Sequence, residues 1–281
     1  MPFVKRPGQP DIFYKVDDFT DPWKKAPTIL LQHGYGRNTE FWYRWIPYLS
    51  RFYRVLRADL RGLGQSGRDF DLAAGLNAEA YIGDLDAVLD AAGVADVHYC
   101  GESLGGILGM IYAAERPLRV RTLNLVSTPV YLNQDFQNRS CFGYPSWEEA
   151  MRGLTPLGYA LAKNQGDRFS ADTDPALMQW FAEQQGASDV EVLIAMQRIA
   201  RTIDATPYLP RVRAPVLVVM PSEGPIVSPE QEALFRQHTR DLTLVKLPSK
   251  HHNLHLVQPA ACAEQVLHFA AQHDGRPCRE P

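Results

Sequence analysis

Short, wholly apolar runs alternate along the chain with turn-rich segments and amphipathic stretches. Thr28-Ile29-Leu30-Leu31-Gln32 is the clearest early run, and a continuous run of this length suits a strand covered on both faces of a parallel sheet. Arg54–Asp59, Val97–Cys100, Thr122–Ser127, Ala214–Met220 and Leu242–Leu247 repeat the pattern. Ile12–Phe19 alternates more crudely before Thr20-Asp21-Pro22 and predicts an edge strand. Helical spacing fills the intervals. An aromatic segment, Glu40–Leu49, follows Thr39 as a cap, and Asn77 opens a helix that places Tyr81, Leu85, Val88 and Leu89 on one face before Gly93 stops it. Gly105–Ala114, Pro229–His238 after Ser228, and Pro259–His273 read as further helices, ahead of a frayed tail. Strand and helix in alternation imply parallel strands joined by right-handed crossovers, an α/β domain.

The alternation stops between about Pro129 and Pro210. Helical segments near Ser146–Lys163, Asp174–Gln184 and Asp189–Ile203 replace it, with starts marked by the Ser146/Glu149 capping box and by Asp174-Pro175. The pattern predicts a core of residues 1–130 and 211–281 with a helical lid, 131–210, inserted in it. Most apolar side chains of the insertion should pack it onto the core. Phe142, Trp147 and Trp180 are its candidates for lining a substrate pocket.

Composition excludes several functions. With 281 residues and 45% hydrophobic positions the chain can bury a large core, and its net charge of −3 gives no reason to expect nucleic acid or an anionic membrane surface. No window approaches eighteen consecutive apolar residues and Met1–Gly8 has no apolar signal core, so a cytoplasmic protein with a small-molecule partner is expected. Cys100, Cys141, Cys262 and Cys278 lack the spacing of a metal or redox motif and are expected as reduced thiols. His251, His252 and His255 have no HExxH or cysteine cluster to complete a ligand set, so no metal and no cofactor are expected. A homodimer is compatible with the sequence.

Candidate chemistry centres on Cys100-Gly101-Glu102-Ser103-Leu104-Gly105-Gly106. A G-x-S-x-G at a strand-to-helix junction is the nucleophile-elbow pattern, in which a tight turn projects the serine hydroxyl above the sheet edge. A serine nucleophile needs a base, a partner to orient that base, and donors for the oxyanion. With His33-Gly34-Tyr35-Gly36, the Asp59–Gly67 turn and the terminal His252 segment in this order, the chain resembles the α/β-hydrolase superfamily, in particular its lidded esterases, enol-lactonases, C–C bond hydrolases and cofactor-free haloperoxidases.

The resemblance implies a mostly parallel eight-stranded sheet flanked by helices, with a helical lid. It also implies the site. Ser103 is the nucleophile; His252, seven residues before the helix-opening Pro259, is the base; the N–H groups of Tyr35 and Leu104 form the oxyanion hole. Glu223 is the expected triad acid, because Gly224 occupies the usual position, and Asp135 is the rival. Asp59 should brace the Arg61–Gly67 turn, His33 should brace its own loop, and Glu102 is structural. The Tyr35 side chain either enters the pocket or packs on Phe41-Trp42. A serine in the elbow argues against dehalogenases and epoxide hydrolases of this fold, which use aspartate. The implied activity is hydrolysis of a carboxylic ester or lactone of a small, mainly apolar molecule. Cleavage of a C–C or amide bond is the alternative on the same residues, with Arg139, Arg152, Arg168 or Arg201 facing a substrate carboxylate. A non-catalytic receptor with this fold is the alternative of another class.

Overall fold

The apolar runs pair into one eight-stranded sheet in the computed structural model, which describes residues 2–132, 140–224 and 228–280. In chain order the strands are β1 (Phe3–Val4), β2 (Ile12–Asp17), β3 (Thr28–Gln32), β4 (Arg54–Ala58), β5 (Val97–Glu102), β6 (Val120–Val126), β7 (Val216–Pro221) and β8 (Leu242–Leu247). They lie side by side as β1-β2-β4-β3-β5-β6-β7-β8, antiparallel at the β1 and β2 end and parallel from β4 onward. β2 is therefore one place in from the edge it was expected to form.

The nine α-helices among the described residues are α1 (Ile46–Leu49), α2 (Ala78–Ala91), α3 (Leu104–Glu115), α4 (Trp147–Lys163), α5 (Pro175–Gly186), α6 (Val190–Thr202), α7 (Pro229–His238), α8 (Leu254–Val257) and α9 (Pro259–Asp274). Strand side chains alternate between faces, and the core divides accordingly. Leu30, Leu56, Tyr99, Leu123 and Val218 join Val88, Ile107, Met110 and Phe235 of α2, α3 and α7 on one side. Ile29, Leu31, Val55, Cys100, Leu217 and Val219 meet Trp42, Trp45 and Leu49 with Val266 and Ala270 of α9 on the other. Both faces of the central strands are covered, which is why their sequences are apolar throughout.

Two helix boundaries depart from expectation. Instead of one helix capped by Thr39, the aromatic segment forms a 3-10 turn, Thr39–Trp42, capped by Asn38, whose Oδ1 accepts the Glu40 N–H at 2.9 Å; α1 then restarts at Ile46-Pro47. Pro47 has no N–H to give to a preceding turn, so a continuous helix would lose a bond there. The helix expected over Ser146–Lys163 begins at its Ser146 cap but breaks at Thr155, whose φ is 62°. Pro156 follows, and a proline disfavours helical geometry in the residue before it.

Between β6 and β7, helices α4, α5 and α6 form the helical insertion. Trp147, Met151, Tyr159, Val192 and Met196 from it pack on Leu60, Leu63, Leu104 and Leu108 of the core. No helix among the described residues is long and apolar enough to cross a membrane.

Candidate active site

Ser103 sits where β5 passes into α3 with φ 54° and ψ −123°, a backbone conformation that costs a non-glycine residue of order 1–3 kcal/mol and that the surrounding packing must hold. The surroundings are tight. A Cβ on Gly105 would lie 2.5 Å from the carbonyl oxygens of both Gln32 and His33, so only glycine lets α3 approach β3 this closely. Tyr99 fixes the same turn by donating its hydroxyl to Gly105 O at 2.6 Å.

His252 Nε2 is 3.0 Å from Ser103 Oγ, within reach of a direct proton transfer. His252 is 7% exposed, and burial, followed by the nearby Arg37 and Arg168 charges, holds the imidazole well below its usual 6.5. A neutral ring is the form that accepts a proton. The His252 loop is fastened to the insertion: His252 N–H donates to Asp167 O at 2.8 Å and Asn253 N–H to Arg168 O at 3.2 Å.

Tyr35 and Leu104 flank the serine in one cavity. Leu104 opens α3, so its N–H has no partner within the helix, and the helix N-terminus adds partial positive charge where an oxyanion would form. Tyr35 lines this cavity and packs against the apolar cluster that contains Leu104 and Leu108, in keeping with the first of its two expected orientations. Burial raises its hydroxyl well above the ordinary range. His33 is held by neighbours: Leu60 N–H donates to its Nε2 at 3.0 Å and its Nδ1 meets Gly34 O at 2.9 Å. Burial lowers it to about 3, so it stays neutral. Asp59 accepts the Thr39 and Gln65 N–H groups at 2.6 and 2.8 Å, clamping the turn after β4.

Glu223 does not meet His252. It is exposed and borders a separate surface depression with Ser228, Glu232, Arg236 and Lys246. Its N–H bonds Ser249 O at 3.1 Å, so the chain after β7 continues the ladder with β8 and carries the carboxylate outward. Gly224, at the usual acid position, has φ 119°, and a Cβ there would meet Lys250 O at 2.5 Å; an aspartate does not fit this path. Among the described residues His252 Nδ1 has no hydrogen-bond partner. Asp135, the rival, lies outside the described residues, as does Arg139.

The carboxylate beside the imidazole is instead Glu102, the elbow residue before the serine. It is fully buried, with Oε1 3.4 Å from His252 Nε2 and 3.9 Å from His255 Nδ1. Arg37, 3% exposed, forms an ion pair with it and donates from Nη2 to Asn253 Oδ1 at 2.7 Å. Nothing in the pattern around Arg37 distinguished it from a solvated loop arginine; its role depends on a contact 65 residues away in sequence, with Glu102.

The cavity has a volume of about 150 Å³ and opens to solvent. Leu104, Ile107, Leu132, Phe142, Ala162 and Ala200 give it an apolar wall, and Arg37, Lys163, Asp167 and Arg168 a charged one. Of the expected pocket aromatics, Tyr35 and Phe142 are there. Trp147 is instead buried between the insertion and the core, with the Arg201 guanidinium 4.9 Å from its ring. Trp180 packs on Phe41 and Tyr43 and borders another depression. Of the arginines, Arg168 reaches the cavity, whereas Arg152 pairs with Glu191 at 2.9 Å on the surface. No cluster of three metal-ligating side chains occurs among the described residues.

Comparison with known proteins agrees with this architecture. A family model described as alpha/beta hydrolase fold matches residues 27–158. The chain is 26% identical to a proposed carbamate hydrolase, RutD, of Azorhizobium caulinodans, over 98% of this chain and 100% of that one. It is 25% identical to the karrikin insensitive 2 receptor IA of Petunia hybrida, over 88% and 91% of the two chains. The crystal structure of the enol-lactonase from Burkholderia xenovorans LB400 superposes with a TM-score of 0.83 at 21% identity, covering 96% of this chain and 100% of that one. With its parallel sheet, its strained serine at the β5–α3 turn and a family-model match over residues 27–158, the chain has the α/β-hydrolase fold.

Proposed function

We propose that the protein is a serine hydrolase that cleaves a carboxylic ester or lactone of a small molecule through an acyl-enzyme on Ser103. The observation that carries this reading is the 3.0 Å contact between Ser103 Oγ and a buried, neutral His252. His252 Nε2 takes the hydroxyl proton as Oγ attacks the substrate carbonyl carbon. The carbonyl oxygen gains charge against the N–H groups of Tyr35 and Leu104, donors fixed before the reaction begins. Collapse of the tetrahedral intermediate expels the leaving oxygen, which takes the proton back from His252. Water, deprotonated by the same ring, then attacks the acyl group and frees Ser103. The insertion over residues 131–210 acts as the lid that shapes the acyl pocket.

Hydrolysis of p-nitrophenyl butyrate tests the assignment. Ser103→Ala should lower kcat by about 10⁴-fold or more with the fold retained; a variant within about tenfold of the wild type would refute the acyl-enzyme. The orienting carboxylate is tested in parallel. Asp135→Asn lowering kcat by about 10²-fold or more, with Glu223→Gln near wild type, assigns that role to Asp135; the reverse result returns it to Glu223.

A further inference from the structure

A single side chain spans the three elements that carry the site. Arg37 lies two residues after Tyr35, in the loop that follows β3. Its Nη1 forms an ion pair with Oε2 of Glu102, the residue before Ser103, and its Nη2 donates to Oδ1 of Asn253, the residue after His252, at 2.7 Å. The nucleophile and the base thus each adjoin a residue that Arg37 holds, and Arg37 itself belongs to the loop expected to bind the oxyanion. All three partners are removed from water: Arg37 is 3% exposed, and Glu102 and Asn253 are fully buried. Phe181 of the insertion closes the other side, its ring centre 5.5 Å from the guanidinium carbon. Taking a carboxylate and a guanidinium out of water is costly, and apolar side chains in place of a buried ion pair often leave a fold as stable or more so. Stability alone therefore does not explain the pair.

We propose that Arg37 is a positioning residue that sets His252 against Ser103, by bridging the elbow and the base loop from the loop of Tyr35. The role rests on the acyl-enzyme reading for its chemistry, but the placement of the two side chains is measurable without turnover. Arginine suits the task because its planar fork presents separate N–H groups in fixed directions, so one guanidinium serves two loops at once; a lysine ammonium is a single point charge. The bonds of His252 N–H to Asp167 O and of Asn253 N–H to Arg168 O fasten the base loop to the insertion. The Arg37 bridge fastens it to the elbow. Burial and then the Arg37 charge oppose protonation of the ring, so Arg37 acts by placement and not by stabilising the imidazolium. Glu102 supplies the opposite charge: its Oε1 is 3.4 Å from His252 Nε2, facing the positive charge the ring acquires with the serine proton.

Two measurements on the full chain test this role. The first is steady-state hydrolysis of p-nitrophenyl butyrate, at a temperature where circular dichroism shows each variant folded. Arg37→Met should lower kcat by about 10²-fold with KM within about threefold of the wild type, since a displacement of about 1 Å at a reacting group costs that much. Arg37→Lys should fall between the two. Asn253→Ala, which leaves the ion pair with Glu102 in place, should lose about tenfold in kcat and decides alone if Arg37→Met does not fold. The second measurement is the crystal structure of each folded variant, in which Ser103 Oγ and His252 Nε2 should stand about 0.5 Å or more beyond their 3.0 Å separation. A kcat within about twofold of the wild type, or an unchanged separation, would overturn the role. A separation that opens in the variants, with a wild type that neither hydrolyses the ester nor takes up a fluorophosphonate, would leave the positioning role intact and refute the acyl-enzyme.

Discussion

The two sides of His252 are built differently. On the serine side every group is set by the sheet: Ser103 follows β5, Leu104 opens α3, and Gly105 is wedged against the carbonyls at the end of β3. On the other side the imidazole depends on loops. His252 is tied to the insertion through Asp167, its Nδ1 meets no partner among the described residues, and Glu223 faces outward. Strand ends fix position because their backbone bonds leave no alternative. A loop carboxylate is placed by the path of its own backbone, and here the Glu223–Ser249 bond sends it away.

The largest effect that can break this contrast is loss of the base. His252→Ala should reduce kcat for a neutral ester by about 10⁴-fold, because a serine without a proton acceptor is a poor nucleophile. A second change probes the buried pair below the elbow. Glu102→Gln should destabilise the protein by about 3 kcal/mol in denaturant unfolding, since it leaves Arg37 buried and uncompensated. Replacing both members, Glu102→Gln with Arg37→Met, should recover part of that loss, whereas a merely exposed pair would show neither effect.

Protonation gives the intermediate effects. The His252 ring is held well below 6.5, so its neutral form persists as pH falls through 6.5, and the acid limb of kcat/KM for a neutral ester should lie below that value. A limb at or above 6.5 would mean a ring more solvated than the structure describes. Lys163 is pushed down to about 7 by burial and by Arg168 and Arg201, with Asp167 opposing. Raising pH through 7 therefore removes its charge. The smallest expected effect is at Glu223. Glu223→Gln should alter kcat by less than about twofold, as befits a surface carboxylate.

Much of this was legible in the residue pattern. The buried runs mark the central strands because both faces are covered, and the elbow announces itself because few residues survive Gly105's contacts. His252 follows from its spacing to Pro259 within the family. The rest depends on tertiary context. Trp147 and Trp180 look like pocket residues by type, but one fills the seam under the insertion and the other covers Phe41. Arg168 could not be told from Arg152 in sequence; burial against Phe181 and Gln185 separates them. Glu223 fits by chain order and fails by direction, since one ladder bond past β7 decides which way its side chain points.

Labelling by a fluorophosphonate, followed by intact mass and peptide mapping, addresses the central claim most directly, because it reports nucleophile activation without any assumption about substrate. The wild type and Glu223→Gln should each take up one adduct on Ser103 at rates within about twofold of one another, and His252→Ala should remain almost unlabelled. An unlabelled wild type, or a Glu223→Gln variant as inert as His252→Ala, would contradict a Ser103 activated by His252 independently of Glu223.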